Sequence, residues 1–285
     1  MIVVTGATGQ LGSAVVDRLL ERVPAEQIGI SVRDPWQAVG LAERGVRVRH
    51  GDFDDAASLA EAFEGAEQVL LVSASATGEA ALRRHRTAIE AARKADVSRI
   101  VYTSHMGANP ASSFAPMPDH ATTEVMLAES GLAFTALRNG FYASSGVMLL
   151  GQALRTGEVA APEDGPVSWT VHADLAEAAA IVLTEQSVDG PTAALTGATA
   201  LDLAGIAAVA SEVTGRPIRR TVVSDSQYRE DLVAHGVPAP AAEMLVGLFA
   251  ASRDREFAAV DPTLERLLGR PPLAIRDVLA ARSSG

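Results

Sequence analysis

The sequence predicts an α/β fold with a doubly wound parallel sheet and a smaller, mostly helical C-terminal lobe. Three observations lead to this fold class. A β-branched strand at residues 2–5 runs directly into glycines at positions 6, 9 and 12. Strand and helix patterns then alternate through the first half of the 285 residues, as in parallel strands joined by right-handed crossovers. After about residue 145 the alternation stops, and helical patterns punctuated by prolines follow.

Each predicted element of the first half follows from its apolar pattern and its boundary residues. The strands cover residues 2–5, 28–32, 46–50, 68–72, 99–104 and 133–137. The helices between them cover residues 13–22, 36–44, 55–64, 79–95 and 119–130, with Gly65 and Gly131 at expected helix ends. In the second half we predict helices at 171–184, 201–213, 225–235, 241–252, 262–268 and 273–281, and short strands at 192–195 and 221–223.

The glycines after the first strand indicate a phosphate-binding turn. They remove Cβ atoms where the chain turns into a helix, so a pyrophosphate can approach the amides at the helix N-terminus. Their Gly-x-x-Gly-x-x-Gly spacing matches the dinucleotide fingerprint in role rather than in letter. The alternative is a tight βα turn without a ligand. We therefore predict a Rossmann fold, with an NAD(P)-binding domain at 1–145 and a substrate-cleft lobe at 146–285. Some elements of the lobe could return to the first domain.

Composition excludes several classes of chemistry. The chain has no cysteine, which rules out disulfides, thiolate metal sites and cysteine nucleophiles and suits a reducing cytoplasm. The formal net charge of −11 argues against general nucleic-acid binding. No His-Glu-x-x-His or similar spacing occurs, so we expect no metal. Lys94 is the single lysine, and any mechanism that needs a lysine must use it.

The chain carries no sequence signal for export or membrane insertion. Because its first residues form a predicted core strand, we expect no signal peptide. No uncharged apolar stretch reaches transmembrane length. We therefore expect a cytoplasmic protein that does not bind membranes.

Arg33 follows the second strand, at the position that meets the adenosine ribose in such a sheet. An arginine there can pair with the 2′-phosphate of NADP, whereas an acidic residue binds the 2′-hydroxyl of NAD. Asp34 comes one position late, so NADPH is favoured over NADH; an arginine that only caps the loop is the alternative. Asp52 and Phe53, after the third strand, could flank the adenine or could form a turn that leads into the next helix.

Polar side chains near the fifth strand are candidates for acid–base chemistry. Thr103 and Ser104 end this strand, beside the expected nicotinamide site, and His105 is a weaker candidate. His120 and Glu124 lie four residues apart on the next predicted helix and therefore share a face. They could form an acid–base pair or an ion pair on the rim of the cleft.

Two further segments fall where cofactor and substrate should meet. The small residues Ser73, Ala74 and Ser75 after the fourth strand permit close backbone approach. The segment 138–142, Arg-Asn-Gly-Phe-Tyr, offers an amide for hydrogen bonds and aromatic rings that can stack on a planar ring. Trp169, Thr170, His172 and Asp174 could return to the same cleft, with core packing as the alternative for each.

Together these motifs resemble the NmrA-like branch of the atypical short-chain dehydrogenases, and within it the NAD(P)H:quinone oxidoreductase type 2 subgroup. The shared segments are Thr-Gly-Ala-Thr-Gly-Gln-Leu-Gly at 5–12, Val-Arg-Asp-Pro at 32–35, Tyr-Thr-Ser at 102–104, Leu-Arg-Asn-Gly-Phe-Tyr at 137–142 and Leu-Leu-Gly-Arg-Pro-Pro at 267–272. The resemblance implies that small quinones are reduced by hydride from NADPH. The cofactor contacts that it implies are Gly6, Ala7, Thr8, Gly9, Gln10, Leu11, Arg33, Ser73, Ala74, Ser75, Arg138, Asn139, Gly140, Phe141 and Tyr142.

The sequence departs from the ordinary dehydrogenase pattern, which needs Tyr-x-x-x-Lys. Four positions after its three tyrosines (Tyr102, Tyr142 and Tyr228) stand Met, Gly and Leu. Alcohol oxidation by that dyad is therefore excluded. Quinone reduction does not need the dyad, because hydrogen-bond donors can stabilise a phenolate-like product while water supplies the proton. Asn139, Tyr142 and His120 are the candidates for that work.

Two other functions fit the same motifs. A non-catalytic, NAD(P)-sensing regulator would also lack the dyad, and turnover of NADPH with a quinone discriminates it from an enzyme. A reductase of a dye, an enone or another planar acceptor would carry the same cofactor residues. A small planar acceptor is the expected partner, and a homodimer is left open.

Overall fold

Seven strands form one parallel sheet in the computed structural model, which describes residues 1–185 and 188–283. The strands of this sheet are β1 (Ile2–Thr5), β2 (Ile28–Val32), β3 (Arg47–His50), β4 (Gln68–Leu71), β5 (Arg99–His105), β6 (Ala133–Asn139) and β10 (Gly190–Pro191). Two parallel pairs lie outside it: β7 (Phe141–Tyr142) with β9 (Trp169–Thr170), and β8 (Glu158–Ala161) with β11 (Arg219–Val222).

The helices connect and cover these strands. In the first half they are α1 (Gln10–Leu20), α2 (Val39–Glu43), α3 (Ala56–Phe63), α4 (Glu79–Lys94) and α5 (Pro116–Glu129), with short 3-10 helices at Ala25–Gln27 and Pro35–Ala38. In the second half they are α6 (Ala143–Leu149), α7 (Ala153–Thr156), α8 (His172–Thr184), α9 (Leu203–Thr214), α10 (Asp225–Ala234), α11 (Ala239–Arg253), α12 (Thr263–Leu268) and α13 (Ile275–Ser283).

The strand order β10-β6-β5-β4-β1-β2-β3 confirms the doubly wound topology. The chain winds outward from β1 in one direction through β2 and β3, and in the other through β4, β5 and β6. The reversal falls between β1 and β4, and ligands of such sheets bind outside the carboxyl ends of the strands at this point.

Apolar side chains cover both faces of the sheet, as a parallel sheet requires. Every residue of β1 and β2 is buried. One face packs against α1 and α8, and the other against α3 and α4. Gly65 and Gly131 follow α3 and α5 with φ of +72° and +78°, which confirms them as helix-ending residues.

Several element boundaries differ from the sequence prediction, and α6, α7, β7, β8 and β9 were not predicted. The predicted helix at 36–44 divides into a 3-10 turn and the short α2. The predicted strand at 192–195 is wrong in its bounds, since the regular strand is β10. Beyond β10, the amides of Thr192 and Leu195 still donate hydrogen bonds to carbonyl groups of β6. The predicted strand at 221–223 begins earlier, because β11 starts at Arg219.

A second, mostly helical core lies outside the sheet layers. It contains Phe114, Phe141, Trp169 and Phe257 together with apolar residues of α6, α9, α11 and α13. By contrast, α8 packs on α1 and α12 packs on α8, and β10 pairs with β6. The division of the chain near residue 145 stays a prediction. In the described parts of the chain, no helix has the length and apolar character needed to cross a membrane.

Candidate active site

A cavity of about 570 Å³ opens at the carboxyl ends of β1 to β4, the position expected for a ligand of this topology. We call it the first cavity. Its lining residues are Thr5, Gly6, Thr8, Gly9, Ser31, Val32, Arg33, Gly51, Asp52, Phe53, Val72, Ser73, Ala74, Ser75 and Arg84.

The glycine turn beside the first cavity has the geometry of a phosphate-binding turn. Gly6 has a φ of +60°, and a Cβ on Gly12 would lie 2.2 Å from the carbonyl oxygen of Gly6. Gly9 is the N-cap of α1, and no side chain caps this helix end. Because Gly9 also lines the cavity, the amides of the first turn lie at its edge, where the helix dipole favours an anion. These residues fit a pyrophosphate.

Two arginines border the first cavity on the side of β2 and α4. The Arg33 side chain is exposed and makes no hydrogen bond or ion pair within the described part of the chain. Arg84 is held by Asp54 through three hydrogen bonds: its Nε donates to Oδ1 at 3.0 Å and to Oδ2 at 3.1 Å, and its Nη2 donates to Oδ2 at 2.7 Å. Arg33 is thus the guanidinium that is available to a phosphate group.

For Asp52 and Phe53 the sequence left open a position beside the adenine or a turn that leads into the next helix. Both line the first cavity. The Asp52 side chain also accepts a hydrogen bond from the amide of Asp54, in the turn that leads into α3. This turn is therefore observed, and it forms part of the cavity wall.

The loop at residues 73–75 is held from two sides. The amide of Ser73 donates to Thr103 Oγ1, and the amide of Ala74 donates to His85 Nε2, both at 2.9 Å. The same three residues also line a second cavity of about 460 Å³. This loop is therefore the boundary at which the two cavities meet.

The second cavity lies between the sheet layer and α11. Its other lining residues are Ala76, Thr77, Ala81, His85, Tyr102, Pro116, Asp119, His120, Pro240, Ala241 and Met244. The three residues of α11 give it an apolar wall, and His120 provides a ring with polar nitrogens on another side. A planar ring with polar oxygens at its edge suits this combination.

His120 is a neutral side chain in this site. Burial lowers its pKa to about 3, and the neighbouring His85 contributes in the same direction. Its Nδ1 lies 2.7 Å from the hydroxyl of Tyr102. A neutral imidazole can donate one hydrogen bond and accept one, so His120 can act as a donor without carrying a charge.

The predicted pairing of His120 with Glu124 is wrong in both of its forms. Glu124 is buried and accepts a hydrogen bond of 2.6 Å from Ser104 Oγ. Its carboxylate also forms a bidentate ion pair with Arg138, with a closest distance of 2.6 Å. Ser104 and Arg138 belong to β5 and β6, so the carboxylate is satisfied by the sheet rather than by its neighbour on α5.

The segment 138–142 lies beside the site without lining either cavity. Asn139 is buried, and its Oδ1 has no hydrogen-bond partner in the described chain. The Tyr142 ring packs on His172 with centroids 4.1 Å apart, and burial raises the pKa of its hydroxyl. Phe141 contacts Trp169 in the second core. The roles predicted for this segment in cofactor binding and catalysis stay predictions.

Residues 169–174 lie beside this segment, but none of them lines either cavity, so their predicted return to the cleft stays a prediction. Strand β9 pairs with β7, so Trp169 and Thr170 lie beside Phe141 and Tyr142. Asp174 has a structural partner instead, since it accepts a hydrogen bond from the amide of Leu273 and pairs with an arginine of the C-terminal segment.

The structure brings together about half of the residues predicted to bind cofactor. Those that line the first cavity are Gly6, Thr8, Gly9, Arg33, Ser73, Ala74 and Ser75, whereas Ala7, Gln10, Leu11 and the segment 138–142 do not. Among the predicted catalytic residues, His120 lines the second cavity. The sequence did not identify Arg84, Tyr102, His85 or Met244 as site residues. Of these four, only Tyr102 belongs to a segment quoted above, Tyr-Thr-Ser at 102–104. Within residues 1–185 and 188–283, no cluster of His, Asp or Glu side chains is arranged to hold a metal ion.

Comparison with known proteins gives a consistent result. The NmrA-like family model matches residues 1–268. Quinone oxidoreductase 2 of Escherichia coli is 36% identical over 278 residues, which cover 97% of this chain and 96% of that protein. An NAD(P)H azoreductase of Xenophilus azovorans is 30% identical over 287 residues, with 100% and 98% coverage.

Solved structures agree with these relatives. The E. coli NADPH-dependent quinone oxidoreductase QOR2, complexed with NADPH, superposes with a TM-score of 0.94 at 34% identity, over 99% of this chain and 100% of that one. A triphenylmethane reductase of Citrobacter sp., complexed with NADP(H), superposes with a TM-score of 0.90 at 32% identity over the same shares. The glycine turn, the fold and these full-length matches together place the chain in the NmrA-like family.

Proposed function

We propose that this protein is an NADPH-dependent oxidoreductase that transfers a hydride to a small quinone or a similar conjugated acceptor. The observation that carries the proposal is the contact between the two cavities at residues 73–75. A dinucleotide in the first cavity can present its reactive end at this loop, to a planar acceptor in the second. The similarity to quinone oxidoreductase 2 and to its NADPH complex supports the same activity.

The first cavity binds and orients the cofactor in this proposal. The amides at the N-terminus of α1 hold the pyrophosphate, and Arg33 pairs with the 2′-phosphate. The 73–75 loop fixes the reactive end, because hydrogen bonds to Thr103 and His85 set the backbone position of the loop. When bound, NADPH supplies the hydride, and holding both rings in contact accounts for a large part of the rate.

The second cavity stabilises the reduced acceptor. A quinone takes up a hydride and becomes a hydroquinone anion, which a proton from water then neutralises. The His120 ring donates a hydrogen bond to the oxygen on which negative charge develops. Because its pKa is lowered to about 3, His120 serves as a neutral donor rather than as the source of the proton. Asn139 and Tyr142 are further proposed donors.

Turnover separates this proposal from a dinucleotide-sensing regulator. Purified protein should oxidise NADPH rapidly when 1,4-benzoquinone is added, above the rate without protein, and NADPH should be a better reductant than NADH. Tight NADPH binding without oxidation across several quinones and dyes would favour the regulator. The curated relatives with full-length matches include reductases, which favours turnover. A cytoplasmic location and a homodimer stay predictions.

A further inference from the structure

Tyr102 lies between two histidines at the floor of the second cavity. It is completely buried, and its ring centroid is 5.5 Å from that of His85 and 5.8 Å from that of His120. His85 touches the loop shared by the two cavities, and His120 faces the acceptor side. The protonated nitrogen of each ring follows from the hydrogen bonds around it.

The hydrogen bonds of His85 fix its tautomer. Its Nε2 accepts the amide hydrogen of Ala74, so this nitrogen carries no proton. Its Nδ1 lies 2.8 Å from Thr123 Oγ1. The Thr123 hydroxyl hydrogen is donated to the carbonyl oxygen of Asp119 at 2.7 Å, so Thr123 can only accept from His85. His85 is therefore neutral and protonated on Nδ1.

The tautomer of His120 follows from Tyr102. The Thr123 oxygen accepts from His85 and has a second lone pair that also interacts with the Tyr102 hydroxyl, but the partner at hydrogen-bond distance from that hydroxyl is His120 Nδ1, at 2.7 Å. A phenol is a better hydrogen-bond donor than a neutral imidazole, and an imidazole nitrogen is a good acceptor. Tyr102 thus donates to Nδ1, and the proton of His120 resides on Nε2. Within the described chain, no residue forms a hydrogen bond with Nε2.

We infer that Tyr102 is a positioning residue, which holds His120 in the Nε2–H tautomer so that this N–H is available to the acceptor oxygen in the second cavity. The inference rests on the proposed function, because it concerns the residue that sets the tautomer of His120, the proposed hydrogen-bond donor to the acceptor. Tyr102 touches neither cofactor nor acceptor in this role. Its hydroxyl acts through the ring of His120, as a partner that fixes ligand orientation does in other sites.

The tautomers can be measured without turnover. Long-range proton–nitrogen correlation spectra of protein labelled in its histidine rings distinguish the two neutral tautomers and the imidazolium. The rings are assigned with His120→Gln and His85→Gln. At pH 7 we expect His120 as Nε2–H and His85 as Nδ1–H. In Tyr102→Phe, His120 should become a mixture of tautomers while His85 keeps its pattern.

Kinetics supply the second readout. In Tyr102→Phe, kcat for benzoquinone should fall about tenfold, less than the roughly hundredfold cost of removing a transition-state donor itself. The Kd for NADPH should change less than about twofold, since a tenfold change in binding would need a lost contact. Tyr228→Phe is the matched control: this tyrosine is half-buried against Phe249 in the helical lobe, and kcat should be unchanged.

Each result bears on a different claim. His120 found as Nδ1–H in the wild type would overturn the inference, and would mean that Tyr102 donates to Thr123 instead. An unchanged tautomer and kcat in Tyr102→Phe would also overturn it. If the wild-type tautomers are as expected but no quinone is reduced, the proposed function fails and the positioning role fails with it, while the hydrogen-bond assignment stands. The wild-type spectrum decides even if Tyr102→Phe does not fold.

Discussion

At the scale of single residues, Arg33 places an unpaired guanidinium at the edge of the first cavity. Replacing Arg33 with Ala should weaken NADPH binding about tenfold, because a charge-assisted hydrogen bond to the 2′-phosphate contributes on the order of 1.5 kcal/mol at an exposed site. NADH lacks this phosphate, so its Kd should stay nearly constant. Titration calorimetry with both dinucleotides measures the difference.

Arg18→Ala is the matched control, since Arg18 lies on α1 and pairs with Glu21 outside the cavity. Its Kd for NADPH should be that of the wild type. Equal losses of NADPH and NADH affinity in Arg33→Ala would show that the residue only supports the loop.

A second residue-scale prediction concerns the ion pair between Arg138 and Glu124. The Glu124 side chain is only 9% exposed. After Arg138→Ala, Ser104 would be the one side-chain partner left to the Glu124 carboxylate. We expect a loss of about 2 kcal/mol in the free energy of unfolding, below the roughly 3–5 kcal/mol of a fully buried pair. Urea unfolding measures it.

Arg18→Ala again provides the comparison, because an exposed pair contributes about 0.5 kcal/mol or less. A loss in Arg138→Ala no larger than in Arg18→Ala would refute a structural role for Arg138. A parallel drop in NADPH affinity at a temperature where the variant is folded would support its predicted part in cofactor binding.

The sequence predicted site residues where a motif marks a strand end. Gly6, Arg33 and Ser73 follow strands, and their position relative to the sheet edge could be inferred from the alternation alone. His85 and Met244 could not be found in this way. They reach the cavities from the middle of α4 and from α11, and no local pattern encodes which helices a long-range fold brings together.

At the scale of elements, the turn between β1 and α1 depends on the absence of a side chain at Gly12. A Cβ there would lie 2.2 Å from the Gly6 carbonyl oxygen and 2.8 Å from the carbonyl carbon, so the backbone would have to shift. Gly12→Ala should destabilise the protein by about 1–3 kcal/mol, as overpacking does. It should also weaken NADPH binding, because the amides of the first turn move. Thermal unfolding with and without NADPH measures both effects.

Gly40→Ala makes the same substitution at a helix position where a Cβ has open space around it. Gly40 lies in α2, and a Cβ at this position would have open space around it, with no atom within 4 Å beyond its chain neighbours and the backbone of its own helix. Helix propensity should stabilise this variant by about 0.5–1 kcal/mol. If Gly12→Ala behaved like Gly40→Ala, the close approach of α1 to the turn would not be needed.

The elements that the sequence predicted best are the buried strands of the first half. The continuous β-branched run at 2–5 and the β-branched residues at alternate positions of 28–32 admit few other interpretations. The strand β10 was misplaced because it has only two regular residues, and its pairing with β6 depends on tertiary contacts. The 3-10 turn before α2 was missed because Asp34 and Pro35 set a tight helix start that apolar periodicity does not report.

At the scale of the whole molecule, one buried histidine and two half-buried histidines make stability depend on pH. Burial lowers the pKa of His85 to about 4 and those of His105 and His120 to about 3, from an ordinary value of 6.5. Between pH 6.5 and pH 4 the unfolded chain binds protons that the folded chain does not. The free energy of unfolding therefore rises with pH in this window, by about 2 kcal/mol per histidine from pH 5 to pH 7.

His85→Gln isolates one of these contributions. Urea unfolding at pH 5 and pH 7 should give a pH-dependent change that is about 2 kcal/mol smaller than in the wild type. The exposed His235 gives the control, and His235→Gln should keep the full pH dependence. A His85→Gln variant with the wild-type slope would contradict the burial of a neutral imidazole at this position.

The relation between the two halves of the chain was the least predictable feature. The doubly wound sheet followed from alternation, and the helical character of the second half followed from its patterns. That α11 would close the second cavity with Pro240, Ala241 and Met244 depends on packing across the whole chain. The acceptor site therefore became visible only in three dimensions, whereas the glycine turn was already visible in the sequence.

The most direct test of the central claim is the stoichiometry of the reaction without oxygen. Protein, NADPH and 1,4-benzoquinone are mixed anaerobically, and hydroquinone and NADP are quantified by chromatography as the reaction proceeds. We predict one hydroquinone for each NADPH oxidised, at a rate proportional to the protein concentration. NADPH that binds but is not oxidised, or is oxidised without hydroquinone formation, would contradict hydride transfer to the quinone.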